Sequence, residues 1–324
     1  MRVVQTTKFG EAEVLVPSEM AEPVAGPGQV VVDVLFAPVL FLDTQIRSGR
    51  ARDWFPAVTP PYVPGAGIAG EVTAVGEGVD PDWMGRRVVA DTTGGGGYLE
   101  RAVAAVTDLI EVPEGLGMAD AAALLHDGRT ALGLIEQAGI RAAEWVLVLG
   151  AGGGLGSLLV QLAHGTGARV IGAARGKQKL DLAQELGAVA MIDYSRSGWP
   201  ERVLAATGGA GPGMVFDGVG GKIGQAAFEV TARGGQFSAH GTPGGGFASI
   251  DRQEAERRQI SVRGIEQVQF APTDARRLAE RAMSEAAAGR IRPIIGQTFP
   301  LERAADAHRA IEARDVIGKT LLEI

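Results

Sequence analysis

The sequence predicts an α/β protein built on a doubly wound parallel sheet, joined to a separate strand-rich region. Three observations carry this. From Glu144 onward, short apolar runs alternate with helix-length amphipathic segments, the pattern of right-handed βαβ crossovers. One of these runs, within Val146–Ala163 (VLVLGAGGGLGSLLVQLA), passes through a glycine turn into an amphipathic helix. The first third instead holds short β-branched runs separated by Gly and Pro turns.

In chain order, VVVDVLF (Val30–Phe36), GEVTAVG (Gly70–Gly76), RRVVADT (Arg86–Thr92) and YLERAVA (Tyr98–Ala104) read as strands. Met118–Gly139 has helical apolar spacing and a glycine stop. Then WVLVLG is a buried strand, LGSLLVQLAHGTG a helix, ARVIGAA a strand, KQKLDLAQELG a helix and AVAMIDY a strand. GMVFDGVG, the helix-like KIGQAAFEVTARGG, QFSAHG and ISVRGIE complete the unit. After Phe270 come a helix (Asp274–Ala288), a strand, a helix (Leu301–Ala313) and the last strand, IGKTLLEI. These have no place in the doubly wound unit and are expected to return to the first region. The expected domains are therefore 1–119, 120–266 and 267–324, the last rejoining the first.

Length agrees, since 324 residues exceed what one core usually organises. A net charge of -7 argues against a nucleic-acid or anionic-membrane partner. Cysteine is absent, which removes disulfides, thiolate metal sites and cysteine nucleophiles. The four histidines (His126, His164, His240, His308) include no pair at metal-ligand spacing. The N-terminal MRVVQTTKFG lacks a secretory pattern. Val146–Gly167 is uncharged if His164 is neutral, but its glycines favour a buried strand–turn–helix over a membrane span. A soluble, cytoplasmic protein is expected.

Two segments compete as dinucleotide turns. Gly65, Gly67 and Gly70 match G-x-G-x-x-G literally, yet EVTAVGEGV follows, which alternates like a strand. Without a helix N-terminus no converging N–H groups receive a pyrophosphate, so a tight turn entering a strand is expected there. The second segment offers Ala151, Gly153 and Gly156 at the motif positions, between a strand and a helix. Alanine serves in the first position if its φ stays negative. Gly153 marks the close approach to phosphate, and Gly156 the close packing of helix on strand.

The next strand ends at Arg175, followed by Lys177 and Lys179, with no acid until Asp181. An NAD site wants a carboxylate there for the ribose 2′-hydroxyl, whereas cations suit a 2′-phosphate. The alternative is a solvated charge run. Lysines in a first helical turn oppose the macrodipole, which a nearby anion relieves, so NADPH is the expected cofactor.

The run GAGGGLG, followed by VIGAARGKQKLDLAQELGA and IDY, resembles the medium-chain dehydrogenase/reductase superfamily, specifically its zinc-free quinone oxidoreductase branch, which includes ζ-crystallin-like proteins. FLDTQIRSG (Phe41–Gly49), YVPGAGIAGEVTAVGEGV (Tyr62–Val79), DAAALLHDGRTA (Asp120–Ala131) and GKTLLEI fall in family order, so the likeness spans the chain. It implies a Rossmann doubly wound sheet plus a GroES-like β-barrel made from both chain ends. It also implies that Gly153, Gly154 and Leu155, beside Ala151, face the pyrophosphate. Lys179 and Tyr194 match the lysine and tyrosine that hold a 2′-phosphate, with Arg175 as an additional candidate. Thr130, Val219, His240, Gly241 and the backbone around Gly264–Glu266 are implied near the nicotinamide, and Lys319 as a contact from the tail. A homodimer is implied too.

Zinc-dependent members carry a cysteine near Val39–Leu40 and a Gly-His-Glu triplet where this chain has Gly65-Ala66-Gly67; both ligand sets are missing. The chain also departs from the quinone oxidoreductase pattern at Leu40, where relatives often carry asparagine, and at Arg129, where they carry an apolar residue. Substrate identity therefore does not transfer. Without a Lewis acid, simple ketone–alcohol interconversion is poorly served. Quinones and α,β-unsaturated carbonyls, which delocalise the arriving charge, are the expected small-molecule substrates. No catalytic acid is assigned. Asp43 and Tyr62 are candidates, each balanced by a structural reading as cap or barrel aromatic, and Tyr98 reads likewise. His240 follows the strand QFSA, at an end where α/β proteins bind ligands. His164 and His308 read as structural. Leu40 and Phe41 are expected to line an apolar pocket. An enoyl-thioester reductase of lipid or polyketide assembly, and a non-catalytic NADPH-binding crystallin-like protein, remain the alternatives.

Overall fold

β-branched residues alternating with turn formers give the first unit its antiparallel sheet. The computed structural model describes residues 1–92 and 96–324. The elements begin with β1 (Arg2–Thr6), β2 (Leu15–Glu19), β3 (Gln29–Val39), α1 (Phe41–Ser48) and β4 (Gly67–Val75). Next are β5 (Arg87–Asp91), β6 (Arg101–Ala105), β7 (Leu109–Glu111) and α2 (Met118–Ala138). In β3, Val30, Val32 and Val34 point into one core with Ile68 and Val72 of β4 and Val88 of β5, the period-2 pattern of a half-buried strand. The strand expected at Tyr98 starts at Arg101 instead. Tyr98 is fully buried, and its backbone pairs with Val4.

The second unit is β8 (Trp145–Leu149), α3 (Gly154–Gly165), β9 (Arg169–Ala174), α4 (Lys177–Glu185) and β10 (Ala190–Asp193), then α5 (Trp199–Ala206) and β11 (Met214–Asp217). It continues with α6 (Gly221–Glu229), β12 (Gln236–Ala239), α7 (Arg252–Arg258) and β13 (Ser261–Arg263). All its strands are parallel, in the order β10-β9-β8-β11-β12-β13. Val146, Leu147, Val148 and Leu149 of β8 are buried to 1% or less, as a strand covered on both faces requires. The order reverses between β8 and β11, which places the topological switch point at the end of β8. The sequence reading did not include α5 and α7. Pro200 in the first turn of α5 reads as a break, and α7 (RQEAERR) buries only Ala255, so it has no apolar stripe. Asp251 holds α7 by accepting from the Gln253 and Glu254 amides at 2.9 and 3.3 Å.

The chain then forms α8 (Pro272–Ala287), β14 (Ile295–Pro300), α9 (Ala304–Ala313) and β15 (Lys319–Glu323). β15 pairs antiparallel with β3 (Thr320 opposite Val39), and β14 lies beside it. Among the described residues the first unit's main sheet therefore runs β14-β15-β3-β4-β5-β7, with β6 also on β3. Tight units comprise residues 1–126 with 279–324, and residues 127–278. They divide inside α2 and α8, later than the expected 119/120 and 266/267 divisions, because long helices give no composition break at the point where contacts change. Among the described residues no helix is long and apolar enough to cross a membrane; Val146–Gly167 is β8, its turn and α3.

Candidate functional site

In the second unit the turn after β8 is shaped by its glycines. Gly150 takes the left-handed φ of 73°, so the following position tolerates alanine. Ala151 is buried and donates its amide to the Ala173 carbonyl at 3.0 Å. A Cβ on Gly156 would collide with the Gly150 carbonyl; glycine there lets α3 lie directly on the turn. Gly153 caps α3 without a side-chain acceptor. The first-turn N–H groups at Gly154 and Leu155 thus point outward at the positive end of the helix, which suits a pyrophosphate. Val219 packs beside Gly150, 3.5 Å from where its Cβ would stand.

At the end of β9, Arg175 is exposed and Lys179 half-buried, its stem packed on Gly152. Tyr194, just after β10, leans on the sheet's core. Lys177 is different: its ammonium pairs with both Asp181 oxygens at 2.6 and 2.8 Å, an ordinary i,i+4 surface pair. Of the three cations, Arg175 and Lys179 fit a phosphate at this strand end; Lys177 follows the solvated-charge reading.

On the other side of the switch point, buried Asp217 organises the ends of β11 and β12. Its Oδ1 accepts from the Val219 and Gly220 amides at 3.0 and 2.7 Å. Its carbonyl accepts from the His240 and Gly241 amides at 3.1 and 2.9 Å. Burial pushes its carboxyl up, and the two amide bonds oppose this. Val219, His240 and Gly241 are thereby tied to one strand end. The Gly264 amide donates to Glu266 Oε1 at 2.7 Å. Ser238 and Gln267, which the sequence reading did not single out, bond to one another at 2.9 Å, and Ser238 also bonds to His240. In sequence Ser238 was marked only by standing two residues before His240, and Gln267 only by following the Gly264–Glu266 segment. Thr130 and Arg129 lie half-buried in α2.

In the first unit, Asp43 sits in the first turn of α1 and accepts from the Leu40 amide at 2.8 Å, a capping contact. It also accepts from the Tyr98 hydroxyl at 3.2 Å. Burial pushes the Asp43 carboxyl up to about 6, against the Leu40 amide, Lys319 and Tyr98, which favour the anion. Tyr98 also joins the sheet end to α9: its hydroxyl lies 3.0 Å from His308 Nε2. Burial, then Arg47, pushes His308 down to about 3, so it is neutral. With the Tyr98 proton directed to Asp43, Nε2–H of His308 donates to the Tyr98 oxygen. Beside them Arg47 is fully buried and pairs with Glu312 of α9. Glu312→Ala would leave that guanidinium uncompensated and is expected to cost about 3 kcal/mol, read as a lowered urea midpoint. Lys319 is buried in β15 with its charge acting on Asp43. Leu40, Phe41 and Tyr62 are half-buried, and burial pushes the Tyr62 hydroxyl up.

The Gly65 segment enters β4, with Gly65 at a φ of 101° against Tyr98. A Cβ on Gly67 would stand 2.6 Å from Leu125 Cδ2 and 2.9 Å from His126 Nε2. His126 Nε2–H donates to the Ala66 carbonyl at 3.0 Å, and Nδ1 lies 4.0 Å from Asp91. Among the described residues no group of three His, Asp or Glu is placed to hold a metal.

A parallel sheet carrying a glycine turn at its switch point, joined to a unit built from both chain ends, defines a Rossmann-plus-GroES-like protein. Family models agree: residues 26–114 match the alcohol dehydrogenase GroES-like domain and 154–284 the zinc-binding dehydrogenase domain. The chain is 30% identical to quinone oxidoreductase of Sus scrofa, over 99% of this chain and 97% of that one. It is similar to the structure of Escherichia coli quinone oxidoreductase complexed with NADPH, at 26% identity over 100% of both chains with a TM-score of 0.91. It is also similar to the structure of an NAD-dependent alcohol dehydrogenase, at 30% identity over 100% of both chains with a TM-score of 0.87. The chain belongs to the medium-chain dehydrogenase/reductase superfamily of oxidoreductases, on its zinc-free quinone oxidoreductase branch.

Proposed function

We propose that the chain binds NADPH and reduces a quinone or an α,β-unsaturated carbonyl in the cytoplasm. The observation that carries the cofactor choice is the end of β9, where Arg175 and Lys179 stand with Tyr194 close in the fold and no acidic residue occurs between Ala174 and Leu180. The α3 N-terminus offers uncapped N–H groups to the pyrophosphate. When bound, NADPH supplies the hydride. The chain's part is to hold its phosphates and orient its nicotinamide.

The acceptor class follows from residues at the ligand positions. Val39, Leu40, Ala66 and Gly67 supply no zinc ligand, which favours an acceptor that carries the developing negative charge itself, as a quinone or enone does on becoming a quinol or enolate. Leu40 and Phe41 give such a substrate an apolar surface. The test is purified protein with NADPH against a panel of quinones, alkenals and acyl-thioesters. Oxidation of NADPH by a quinone or enone supports the reading, turnover only with thioesters replaces the substrate, and binding without turnover removes the reaction.

Cofactor choice has its own readout, and the alcohol dehydrogenase relative makes NADH the proper comparison. Changing Arg175 and Lys179 together to alanine is expected to weaken NADPH about 100-fold while altering NADH affinity less than about threefold, since charge-assisted bonds are lost only from the 2′-phosphate. Equal losses for both would sink the 2′-phosphate assignment. We further propose a homodimer, which a solution mass near twice the 33.5 kDa of one chain would support.

A further inference from the structure

The hydrogen bonds around His240 define which of its nitrogens carries the proton. Gln267 Nε2 donates to the carbonyls of Arg263 and Gly264 at 3.1 and 2.6 Å. Those two acceptors fix the amide's orientation and leave Oε1 to accept. Ser238 Oγ lies 2.9 Å from that oxygen and 2.9 Å from His240 Nδ1. A hydroxyl has one proton, and Oε1 takes it. The Ser238 oxygen must therefore accept from Nδ1–H, and Nε2 of His240 is left with a bare lone pair. Burial pushes the imidazole down to about 4, so it is uncharged at neutral pH.

That lone pair has no donor. Nε2 is buried and unpartnered among the described residues. The neighbouring backbone donors are committed elsewhere: the His240 and Gly241 amides to the Asp217 carbonyl, the Val219 and Gly220 amides to its carboxylate. Nε2 faces Gly218, 3.5 Å from where a Cβ would stand there, which keeps the end of β11 free of a side chain beside it.

The sheet order says which part of a dinucleotide meets this acceptor. The glycine turn follows β8, and the cations for the adenosine half follow β9, on one side of it. A dinucleotide centred on that turn must run its other half over β11 and β12, on the opposite side. His240 directly follows β12, two strand spacings from β8, which is about 10 Å and within reach of a ribosyl-nicotinamide. The donor carried by that ring is the amino group of its carboxamide.

We propose that His240, held as the Nδ1–H tautomer by Ser238 and Gln267, reads the nicotinamide carboxamide by accepting its N–H at Nε2. This rests on the dinucleotide reading above but goes further, since it makes His240 a specificity residue with a defined tautomer. It accounts for an unpaired acceptor that would otherwise only destabilise the fold.

The test compares affinities for NADPH and its reduced 3-acetylpyridine analogue, in which a methyl replaces the amino group. Native protein is expected to prefer NADPH by about fivefold or more. In His240→Leu the preference falls to near one through loss of NADPH affinity, with analogue affinity held within about twofold. No preference in the native protein, or an unchanged one in the variant, overturns the inference while leaving NADPH binding intact; failure of native protein to bind NADPH overturns the cofactor reading with it. Nitrogen NMR of the native protein gives a second readout independent of any variant. Nδ1 protonated and Nε2 bare, with the Nε2 resonance moving on NADP⁺ addition, is expected. A protonated Nε2, or one indifferent to NADP⁺, overturns it.

Discussion

Gly156→Ala is expected to destabilise the second unit by about 3 kcal/mol and to abolish NADPH binding, because the new Cβ collides with backbone. The obstruction is the Gly150 carbonyl and the Ala151 Cα, neither of which can swing aside as a side-chain tip would. Relief requires α3 to lift from the turn, which moves the N–H groups at Gly154 and Leu155 that are proposed to hold phosphate. Gly165, at the other end of the same helix, has nothing within 4 Å of its Cβ position. Gly165→Ala is therefore expected to be neutral or to stabilise by about 0.5 kcal/mol. Thermal unfolding and cofactor titration of the two variants check both. Equal stability in the pair would mean that the contact at Gly156 is not what shapes the turn.

The second large effect is a pH dependence at Asp43. Its folded carboxyl is raised from 3.8 to about 6 by burial, so the native state binds that proton before the unfolded chain does. Between about pH 4 and 6 this group makes stability fall as pH rises, by about 3 kcal/mol across the window. Asn at 43 keeps an oxygen for the Leu40 amide and the Tyr98 hydroxyl but has no proton to release. The stability of native protein minus that of Asp43→Asn is expected to decline over that window and to be flat above about pH 7. His308 and His240 act oppositely: lowered from 6.5 to about 3 and about 4, each loses stability as pH falls below 6.5. The total profile thus hides the Asp43 contribution, and the difference between the two proteins isolates it. A difference that rises with pH would show that Asp43 is ionised more readily when folded than when unfolded.

What could be read from the sequence was whatever repeats locally. The strand WVLVLG, the turn after it and the spacing of Leu155, Leu158, Leu159 and Leu162 declare themselves within 18 residues, so β8 and α3 were found. The return of IGKTLLEI to the first domain was expected because the doubly wound unit had no place for it, and its pairing with β3 supplies the reason. Charge at the end of β9 was legible as composition, but not as pairing: nothing in GKQKLD says that Lys177 is taken by Asp181 while Arg175 stays exposed. Long-range polar contacts were least visible. Tyr98 and His308 are 210 positions apart, and Ser238 and Gln267 have meaning only once strand ends are placed side by side. Helix α7 escaped for the opposite reason, having almost no buried face to leave a period.

Gly67 bears on what could be built into this loop. The family resemblance puts Gly67 where zinc-dependent members carry the glutamate of Gly-His-Glu, so substitutions at 66 and 67 would write that triplet. Leu125 and the His126 ring occupy the space that a side chain at 67 would need, and His126 is anchored to the Ala66 carbonyl. A glutamate at 67 would have to displace both, so Gly67→Glu alone is expected to be poorly accommodated in this packing. Writing a zinc ligand set into this loop therefore starts with repacking Leu125 and His126, not with the ligands themselves.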